Sequence, residues 1–390
     1  MAKLKLFKSL TLVFSLLFSV TAFSSTLIPA APKLAASAYH LVDAHSGKII
    51  ASKNADQRLP PASLTKMMTS YIVAHEVSKG RVSLDDMVPV SVAAWKKGGS
   101  KMYIREGTRV KLNDLMKGII VQSGNDASIA VAEYIAGSEE GFAELMNHQA
   151  KQLGMNDTQY KNATGWPAEG HYSTAKDLAT LGVAVARDFP EHYKVYSQKY
   201  FTYNNIRQPN RNKLLWADNT VDGLKTGHTE EAGYCLVSSA VRNDMRLVSV
   251  VMGAQSEKSR AQESQKLLNY GFRFYQTHRL YDQGEKIHEA RIWGGKQDNL
   301  QLGLSSNLYV SIARGEYQNL KPSLELNEVI SAPVKKGQEL GKILVMLDGE
   351  LVAQRPLVSL VDVEKGGLFK RIGDSTKRFF SETFESIFSD

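Results

Sequence analysis

Three short motifs, widely separated along the chain, restrict the folds open to it: Ser63–Lys66 (Ser-Leu-Thr-Lys), Ser123–Asn125 (Ser-Gly-Asn) and Lys225–Gly227 (Lys-Thr-Gly). Each motif alone is weak evidence; Ser173–Lys176, for example, is a second Ser-x-x-Lys string in the same chain. Together they contain a nucleophile, a base, a proton relay and a group that attracts an anion. This set suits acyl transfer to serine without histidine, provided that the fold brings all three motifs to one cleft.

The first motif is predicted at the start of a helix. Pro60 and Pro61 interrupt the chain just before it, and apolar residues then recur at helical spacing at positions 64, 67, 68, 71 and 72. Residues three apart on a helix face the same side, so the Lys66 amine can reach the Ser63 hydroxyl.

The proposed base must have an unusual pKa. A free lysine has a pKa of about 10.4 and is charged at neutral pH, so it cannot accept a proton. Burial lowers that pKa, and a second ammonium nearby lowers it further. Lys225 is the candidate for this second cation.

The other two motifs are predicted in a turn and on a strand. Apolar helical stretches between residues 112 and 135 flank Ser123–Asn125, which places its side chains in a turn facing a cleft. Residues 223–226, 233–241 and 245–252 have the pattern of strands, with a hairpin turn at Arg242–Asp244 between the last two, and an N-terminal hairpin is predicted near residues 39–51. A helix is predicted at Ser259–Tyr275. The pattern indicates an α+β fold in which helices cover an antiparallel sheet whose N- and C-terminal strands meet.

The ordered motifs resemble those of the penicilloyl-serine transferases, which are the serine β-lactamases and penicillin-binding proteins. The longer strings Pro61–Met68, Gln122–Ala127 and Val221–Thr229 are similar to those of low-molecular-mass penicillin-binding proteins, the serine-type D-alanyl-D-alanine carboxypeptidases. This resemblance covers nearly the whole chain and implies a serine β-lactamase-like, or transpeptidase, domain. It also implies removal of the terminal D-Ala from peptidoglycan pentapeptides ending in D-Ala-D-Ala through an acyl-enzyme, and covalent inhibition by β-lactam antibiotics.

The resemblance implies a role for each motif residue. Ser63 is the nucleophile, Lys66 the base, Ser123 the relay of a proton to the leaving amine, and Asn125 a ligand of lysine and of a substrate carbonyl. An extended peptide would pair with the strand, and the backbone amides of Ser63 and His228 would form an oxyanion hole. The substrate-binding residues implied are Lys225, Thr226, Gly227, His228, Thr229 and Arg260. No metal and no cofactor is expected.

Four alternatives stay open. A weak serine β-lactamase would acylate identically, but no Glu-x-x-Leu-Asn string lies between Asn125 and Lys225, and Glu169 is the nearest candidate. A D,D-endopeptidase acting on crosslinked peptidoglycan would use the same residues. A zinc peptidase is disfavoured because the nine histidines are scattered and no His-Glu-x-x-His string occurs. A non-catalytic wall-binding protein would keep the cleft without acylation.

The chain is predicted to have four segments. Residues 1–22 read as a signal peptide, with basic residues ahead of a short apolar run. Residues 25–283 form the predicted catalytic domain, and residues 284–365 a small all-β domain with a tight hairpin turn at Asp348–Gly349. Residues 366–390 form the predicted amphipathic membrane-anchoring helix.

The tail segregates apolar from charged residues on a helical wheel. One half contains Phe369, Ile372, Phe379, Phe380, Phe384, Ile387 and Phe388, and the other contains Lys370, Arg371, Asp374, Arg378, Glu382 and Glu385. We predict a helix lying in the plane of the bacterial inner membrane, on its periplasmic face, with membrane lipid as its partner. The alternative is a C-terminal helix docked on the protein.

The charge balance excludes one class of partner. The formal net charge is +8, which falls to about +5 without the three leader lysines. This mild excess is compatible with an anionic wall or membrane surface. No run of Lys and Arg interleaved with aromatic residues occurs, so no nucleic acid partner is expected.

Overall fold

The computed structural model describes residues 28–388, so the predicted signal peptide lies outside the described residues. The strands are β1 (Ala38–Asp43), β2 (Ile49–Lys53), β3 (Met87–Pro89), β4 (Arg109–Lys111), β5 (Tyr200–Tyr203), β6 (Ile206–Pro209), β7 (Val221–Thr229), β8 (Gly233–Arg242), β9 (Met245–Ala254), β10 (Tyr275–Tyr281), β11 (His288–Arg291), β12 (Asn299–Gly303), β13 (Leu308–Ala313), β14 (Leu320–Leu326), β15 (Glu339–Leu347) and β16 (Glu350–Ser359). The helices are α1 (Lys66–Ser78), α2 (Val92–Lys96), α3 (Leu112–Lys117), α4 (Asn125–Ala136), α5 (Glu139–Gln152), α6 (Ala175–Asp188), α7 (Pro190–Tyr193), α8 (Leu214–Ala217), α9 (Glu257–Phe274) and α10 (Leu368–Phe388).

The central sheet has five antiparallel strands in the order β2–β1–β9–β8–β7. The N-terminal strand β1 pairs with β9, Leu41 lying opposite Ser249, which confirms the predicted meeting of the chain's early and late strands. Asn243 and Asp244 join β8 to β9 with φ angles of 48° and 62°. Two left-handed residues form the type I′ turn that matches the twist of a hairpin. β7 lies at the edge of this sheet.

Helices cover both faces of the sheet. α9 packs on one face through Leu267 and Leu268, and α1, α4 and α6 contribute to the larger core on the other. α9 begins at the N-cap Ser256, whose hydroxyl accepts a hydrogen bond from the amide of Ser259 and so satisfies a donor that the helix leaves unpaired. The helix ends at Phe274, one residue before the predicted end, because Tyr275 already belongs to β10.

The C-terminal β-structure has a two-stranded sheet, β10–β13, and a five-stranded sheet in the order β11–β12–β16–β15–β14. The predicted hairpin is confirmed, since Asp348 and Gly349 join β15 to β16 with φ angles of 49° and 90°. β10 begins ahead of residue 284, and the predicted domain boundary stays a prediction. The C-terminal β-structure contacts the central sheet where the Thr277 hydroxyl of β10 donates to the buried carboxylate of Asp43 in β1 at 2.7 Å.

α10 contacts the C-terminal β-structure through its polar side. The backbone amide of Gly294 donates to the Asp374 carboxylate at 2.9 Å, and the Arg291 guanidinium donates to it at 3.3 Å. Asp374 is consequently buried, whereas Phe369 and Ile372 on the apolar side are 90% and 57% exposed. Among the described residues, no helix combines the length and the apolar character needed to cross a membrane.

Candidate active site

Ser63 lies in a 3₁₀ turn, Ala62–Thr65, that runs directly into α1. The edge strand β7 passes close to this turn at Gly227. A Cβ atom at Gly227 would lie 3.0 Å from the Pro61 carbonyl oxygen and 3.3 Å from the Ala62 Cβ atom. The glycine therefore permits the strand of the third motif to approach the serine of the first.

The Lys66 amine is buried and has three oxygen neighbours. It lies 3.1 Å from Ser63 Oγ, 2.7 Å from Asn125 Oδ1 and 2.5 Å from the carbonyl oxygen of Thr164. Burial lowers the pKa of Lys66 to about 7, and the positive charge of Arg211 is the next cause. An amine with this pKa is partly neutral at neutral pH, as a general base requires.

Two cations lie close enough to affect the Lys66 amine, the predicted Lys225 and also Arg211. Arg211, which the sequence analysis missed, is the first cation that lowers the Lys66 pKa. The two lysine amines also repel each other, and burial and then Lys66 lower the pKa of Lys225 well below its usual value. Arg211 also lowers the pKa of Arg260, so its exposed side chain lies beside the same group of cations. Its only sequence signal is the short basic string Arg211–Lys213.

Ser123 follows a π-helical turn, Gly118–Gln122, and has a left-handed backbone with φ of 67°. This conformation is uncommon for residues other than glycine and is characteristic of functional sites. The Lys225 amine donates to Ser123 Oγ at 3.0 Å and to the carbonyl oxygen of Thr226 at 2.9 Å. The second and third motifs are thus in direct contact, with Lys225 as the hydrogen-bond partner of Ser123.

Asn125 begins α4 and links the first motif to a neighbouring loop. Its Oδ1 accepts from Lys66, and its Nδ2 donates to the Gly98 carbonyl oxygen at 2.7 Å. Its backbone amide donates to the Ser100 carbonyl oxygen at 2.7 Å. These contacts orient the amide so that its oxygen faces Lys66.

The remaining predicted substrate-binding residues lie along β7 or behind it. Thr226 is buried, and the exposed His228 packs against Tyr234 with ring centroids 4.0 Å apart and the rings tilted by 31°. Thr229 Oγ1 accepts from a backbone amide of the following turn. Arg260 is buried and donates to the Gly227 carbonyl oxygen at 3.1 Å, so its observed contact is with the strand backbone. The predicted binding of a carboxylate by these residues stays a prediction.

The loop of residues 162–172 contributes to the site and was not predicted from the sequence. Asn162 Oδ1 accepts hydrogen bonds from the backbone amides of Thr164, Gly165 and Trp166. These bonds fold the loop over residues 62–66, which we call the catalytic turn. The loop supplies the Thr164 carbonyl to Lys66 and, with Ala62 and Pro61, lines a cavity of about 650 Å³. The string Asn162–Gly165 is a turn signal that could have located this loop, although not its contact with Lys66.

Two family models match consecutive parts of the chain. The D-alanyl-D-alanine carboxypeptidase model matches residues 25–256. The chain belongs to this family. The model of the penicillin-binding protein 5 C-terminal domain matches residues 275–365. These residues contain the C-terminal β-structure of this carboxypeptidase.

Individual relatives agree with this membership. The chain is 46% identical over 384 residues to the D-alanyl-D-alanine carboxypeptidase DacC of Escherichia coli K12, covering 96% of each chain. It is 30% identical over 234 residues to a D-alanyl-D-alanine endopeptidase of the same organism, covering 57% of this chain and 73% of that one. It superimposes on penicillin-binding protein 5 from Haemophilus influenzae with a TM-score of 0.83 and 42% identity, covering 86% of this chain and 100% of that one.

These comparisons confirm the predicted family, the α+β penicilloyl-serine transferase fold with its all-β C-terminal domain, and the serine-type D-alanyl-D-alanine carboxypeptidase class of hydrolase. Within the family, an assignment as endopeptidase has weaker support, because that relative is less similar and matches a smaller part of the chain.

Proposed function

We propose that this carboxypeptidase removes the terminal D-Ala of peptidoglycan pentapeptides through an acyl-enzyme on Ser63. One observation carries the proposal: the Lys66 amine, with a pKa lowered to about 7, lies 3.1 Å from Ser63 Oγ. In this mechanism Ser63 attacks the carbonyl of the penultimate D-Ala and the terminal D-Ala leaves. β-Lactam antibiotics would acylate the same oxygen and act as covalent inhibitors.

The hydrogen-bond partners of Lys66 allow a neutral amine to act as base toward Ser63. A neutral amine has two N–H groups and one lone pair. Asn125 Oδ1 and the Thr164 carbonyl can only accept, so they take the two N–H groups. The lone pair is then left for the Ser63 hydroxyl, which donates its proton to Lys66 as the oxygen attacks.

The position of β7 supports the proposed mode of substrate binding. As an edge strand beside the nucleophile, it can pair with an extended peptide. The backbone amides of Ser63 and His228 would stabilise the oxyanion, where each donor typically contributes about 3–4 kcal/mol. We assign the terminal carboxylate to Lys225 and Thr226, because an anion there would offset the repulsion that lowers the Lys225 pKa, with the exposed Arg211 as a further cation at the rim.

The leaving group must receive a proton. The Ser123 hydroxyl, held by Lys225, relays to the departing amine the proton that Lys66 took from Ser63, so that Lys66 is neutral again. The bond between the carbonyl carbon and the amine nitrogen breaks as terminal D-Ala leaves. Water then attacks the Ser63 ester, with Lys66 as the base, and releases the shortened peptide and a free hydroxyl.

Substitution of Ser63 by alanine tests the proposal directly. We expect benzylpenicillin to add covalently to the native protein and to Ser173→Ala, and no adduct to form on Ser63→Ala, because the attacking oxygen is gone. Mass spectrometry of the intact protein and of its peptides measures the adduct. Ser173 begins the second Ser-x-x-Lys string and serves as the matched control. An adduct of equal yield on Ser63→Ala would refute the mechanism.

Product analysis separates the two peptidase activities. A pentapeptide ending in D-Ala-D-Ala should lose one D-Ala faster than a crosslinked dimer is cleaved. Faster cleavage of the dimer would instead identify a D,D-endopeptidase.

We propose further that the protein is exported by its N-terminal signal peptide and held on the periplasmic face of the inner membrane by α10. Support comes from the exposure of Phe369 and Ile372, while Asp374 binds the polar side of the same helix to the β-structure. A helix with one exposed apolar face binds in the plane of a membrane interface.

Removal of α10 tests the anchor. A protein ending at Gly366 should stay in solution when mixed with phosphatidylglycerol-containing vesicles and should keep its carboxypeptidase activity on a soluble pentapeptide. The double variant Phe369→Gln/Ile372→Gln should bind the vesicles several-fold more weakly, whereas Thr376→Gln, on an already polar exposed position, should bind normally. Flotation of the shortened protein with the vesicles would exclude α10 as the anchor.

A further inference from the structure

A buried histidine joins the loop of residues 162–172 to the catalytic turn. His171 Nε2 lies 2.9 Å from Thr65 Oγ1, and the backbone amide of Lys161 donates to His171 Nδ1 at 3.2 Å. Both His171 and Thr65 are buried, at 7% and 0% exposure. Thr65 immediately precedes Lys66, so the imidazole holds the residue next to the proposed base.

The two contacts determine the tautomer of the ring. Because Nδ1 accepts from an amide, the proton of the neutral ring is on Nε2 and is donated to Thr65 Oγ1. Burial lowers the pKa of His171 to about 4, followed by the charges of Lys161 and Lys66. The ring therefore remains neutral at neutral pH and keeps this direction of donation.

The loop meets the catalytic turn at three places. A Cβ atom on Gly165 would lie 1.8 Å from the Ala62 carbonyl oxygen, so the two backbones are in close contact. The Thr164 carbonyl accepts from Lys66, and His171 binds Thr65. Displacement of the loop would consequently move an acceptor of the Lys66 amine.

We propose that His171 is a positioning residue: through Thr65 it holds the loop so that the Thr164 carbonyl engages one N–H of Lys66 and the amine lone pair faces Ser63. The inference rests on the proposed function, because it requires Lys66 to act as the base. His171 touches neither substrate nor the attacking oxygen in this scheme and acts only through Thr65 and the loop.

Two amide substitutions separate the contacts of the ring. The nitrogen of a glutamine side chain can replace Nε2 as donor to Thr65, and the oxygen of an asparagine side chain can replace Nδ1 as acceptor from Lys161. We expect His171→Gln to acylate within about threefold of the native rate. We expect His171→Asn to lower the first-order rate of acylation by benzylpenicillin by about 10–100-fold, with the dissociation constant of the preceding complex unchanged.

The same bond is tested from its other end. Thr65→Val removes the acceptor and should slow acylation as much as His171→Asn, whereas Thr65→Ser keeps the hydroxyl and should not. Combining Thr65→Val with His171→Asn should add little to either change, because both break one interaction. Thermal unfolding by circular dichroism identifies any variant that fails to fold. If a His171 variant does not fold, the comparison of Thr65→Val with Thr65→Ser tests the inference.

A native acylation rate in folded His171→Asn or Thr65→Val would overturn the inference, as would equal losses in the glutamine and asparagine variants. Failure of the proposed function gives a different result, namely a penicillin adduct on Ser63→Ala. The two ideas are therefore separable by experiment.

Discussion

Replacement of Lys66 by methionine is expected to lower the acylation rate by about 10³–10⁴-fold, near the upper range for the loss of a general base. Methionine has a similar length but no lone pair that can accept the Ser63 proton. The Thr164 and Asn125 carbonyls lose a donor, while the burial of an amine is relieved. The folded pKa of about 7 lies below the unfolded value of 10.5, so the native lysine destabilises the fold below about pH 7 and ceases to do so as pH rises toward 10.5.

These two effects on stability oppose each other. Each unit of pKa depression corresponds to about 1.4 kcal/mol, and each unsatisfied buried acceptor costs about 1–3 kcal/mol. We therefore expect Lys66→Met to stay folded while it loses activity.

Stopped-flow measurement of acylation by a fluorescent penicillin between pH 5 and pH 9 checks this prediction. In the native protein the rate should rise with pH through about 7, since only the neutral form of Lys66 accepts a proton. The residual rate of Lys66→Met should lack this ionisation. Lys176→Met is the matched control, because it removes the exposed lysine of the second Ser-x-x-Lys string. A rate independent of pH in the native protein, or undiminished in Lys66→Met, would contradict the assignment.

Substitution of Gly165 by alanine is expected to reduce both stability and acylation. Gly165 has a φ of +79°, and its Cβ atom would lie 1.8 Å from the Ala62 carbonyl oxygen and 2.9 Å from Thr65 Oγ1. The first of these atoms is backbone, so the catalytic turn itself has to shift. We expect a loss of about 3 kcal/mol or more in the free energy of unfolding and at least a tenfold slower acylation.

Gly170 provides the control within the same loop. Its φ is +75°, but a Cβ atom there would meet only the ends of two flexible side chains, Lys161 Cε at 3.1 Å and Gln159 Oε1 at 3.2 Å. Gly170→Ala should therefore cost about 1–2 kcal/mol, the strain of a left-handed backbone, and leave acylation nearly unchanged. Urea unfolding and penicillin acylation of both variants measure the difference. Equal effects in the two variants would show that close contact at Gly165 is unimportant.

Much of the fold was accessible to sequence reasoning because local rules governed it. The left-handed pairs Asn243–Asp244 and Asp348–Gly349 form the hairpins predicted for them. The period-two strands and the apolar helical stretches predicted an antiparallel sheet covered by helices, and the family resemblance agreed. The end of α9 was missed by one residue, since Phe274 and Tyr275 have similar apolar side chains and pairing with β13 decides where the strand begins.

Which side of α10 faces the protein was only partly predictable. The wheel separated its apolar and charged halves, but the pattern alone left open whether the apolar half packs on the protein. Asp374 decides this among the described side chains, because its carboxylate receives the Gly294 amide and turns the polar side inward.

The sequence by itself predicted Ser63 as nucleophile and Lys66 as its base, because the order of the three motifs selects this Ser-x-x-Lys and a separation of three residues places both side chains on one side of a helical turn. Only the tertiary structure decided which groups surround the amine. Its acceptors come from Asn125 and Thr164, 59 and 98 positions away, and Arg211, which has no motif of its own, lowers its pKa after burial. A backbone carbonyl has no side-chain signature, and burial and long-range charge depend on packing between distant segments. The lowered pKa on which the proposed role of Lys66 depends is therefore a property of the folded chain.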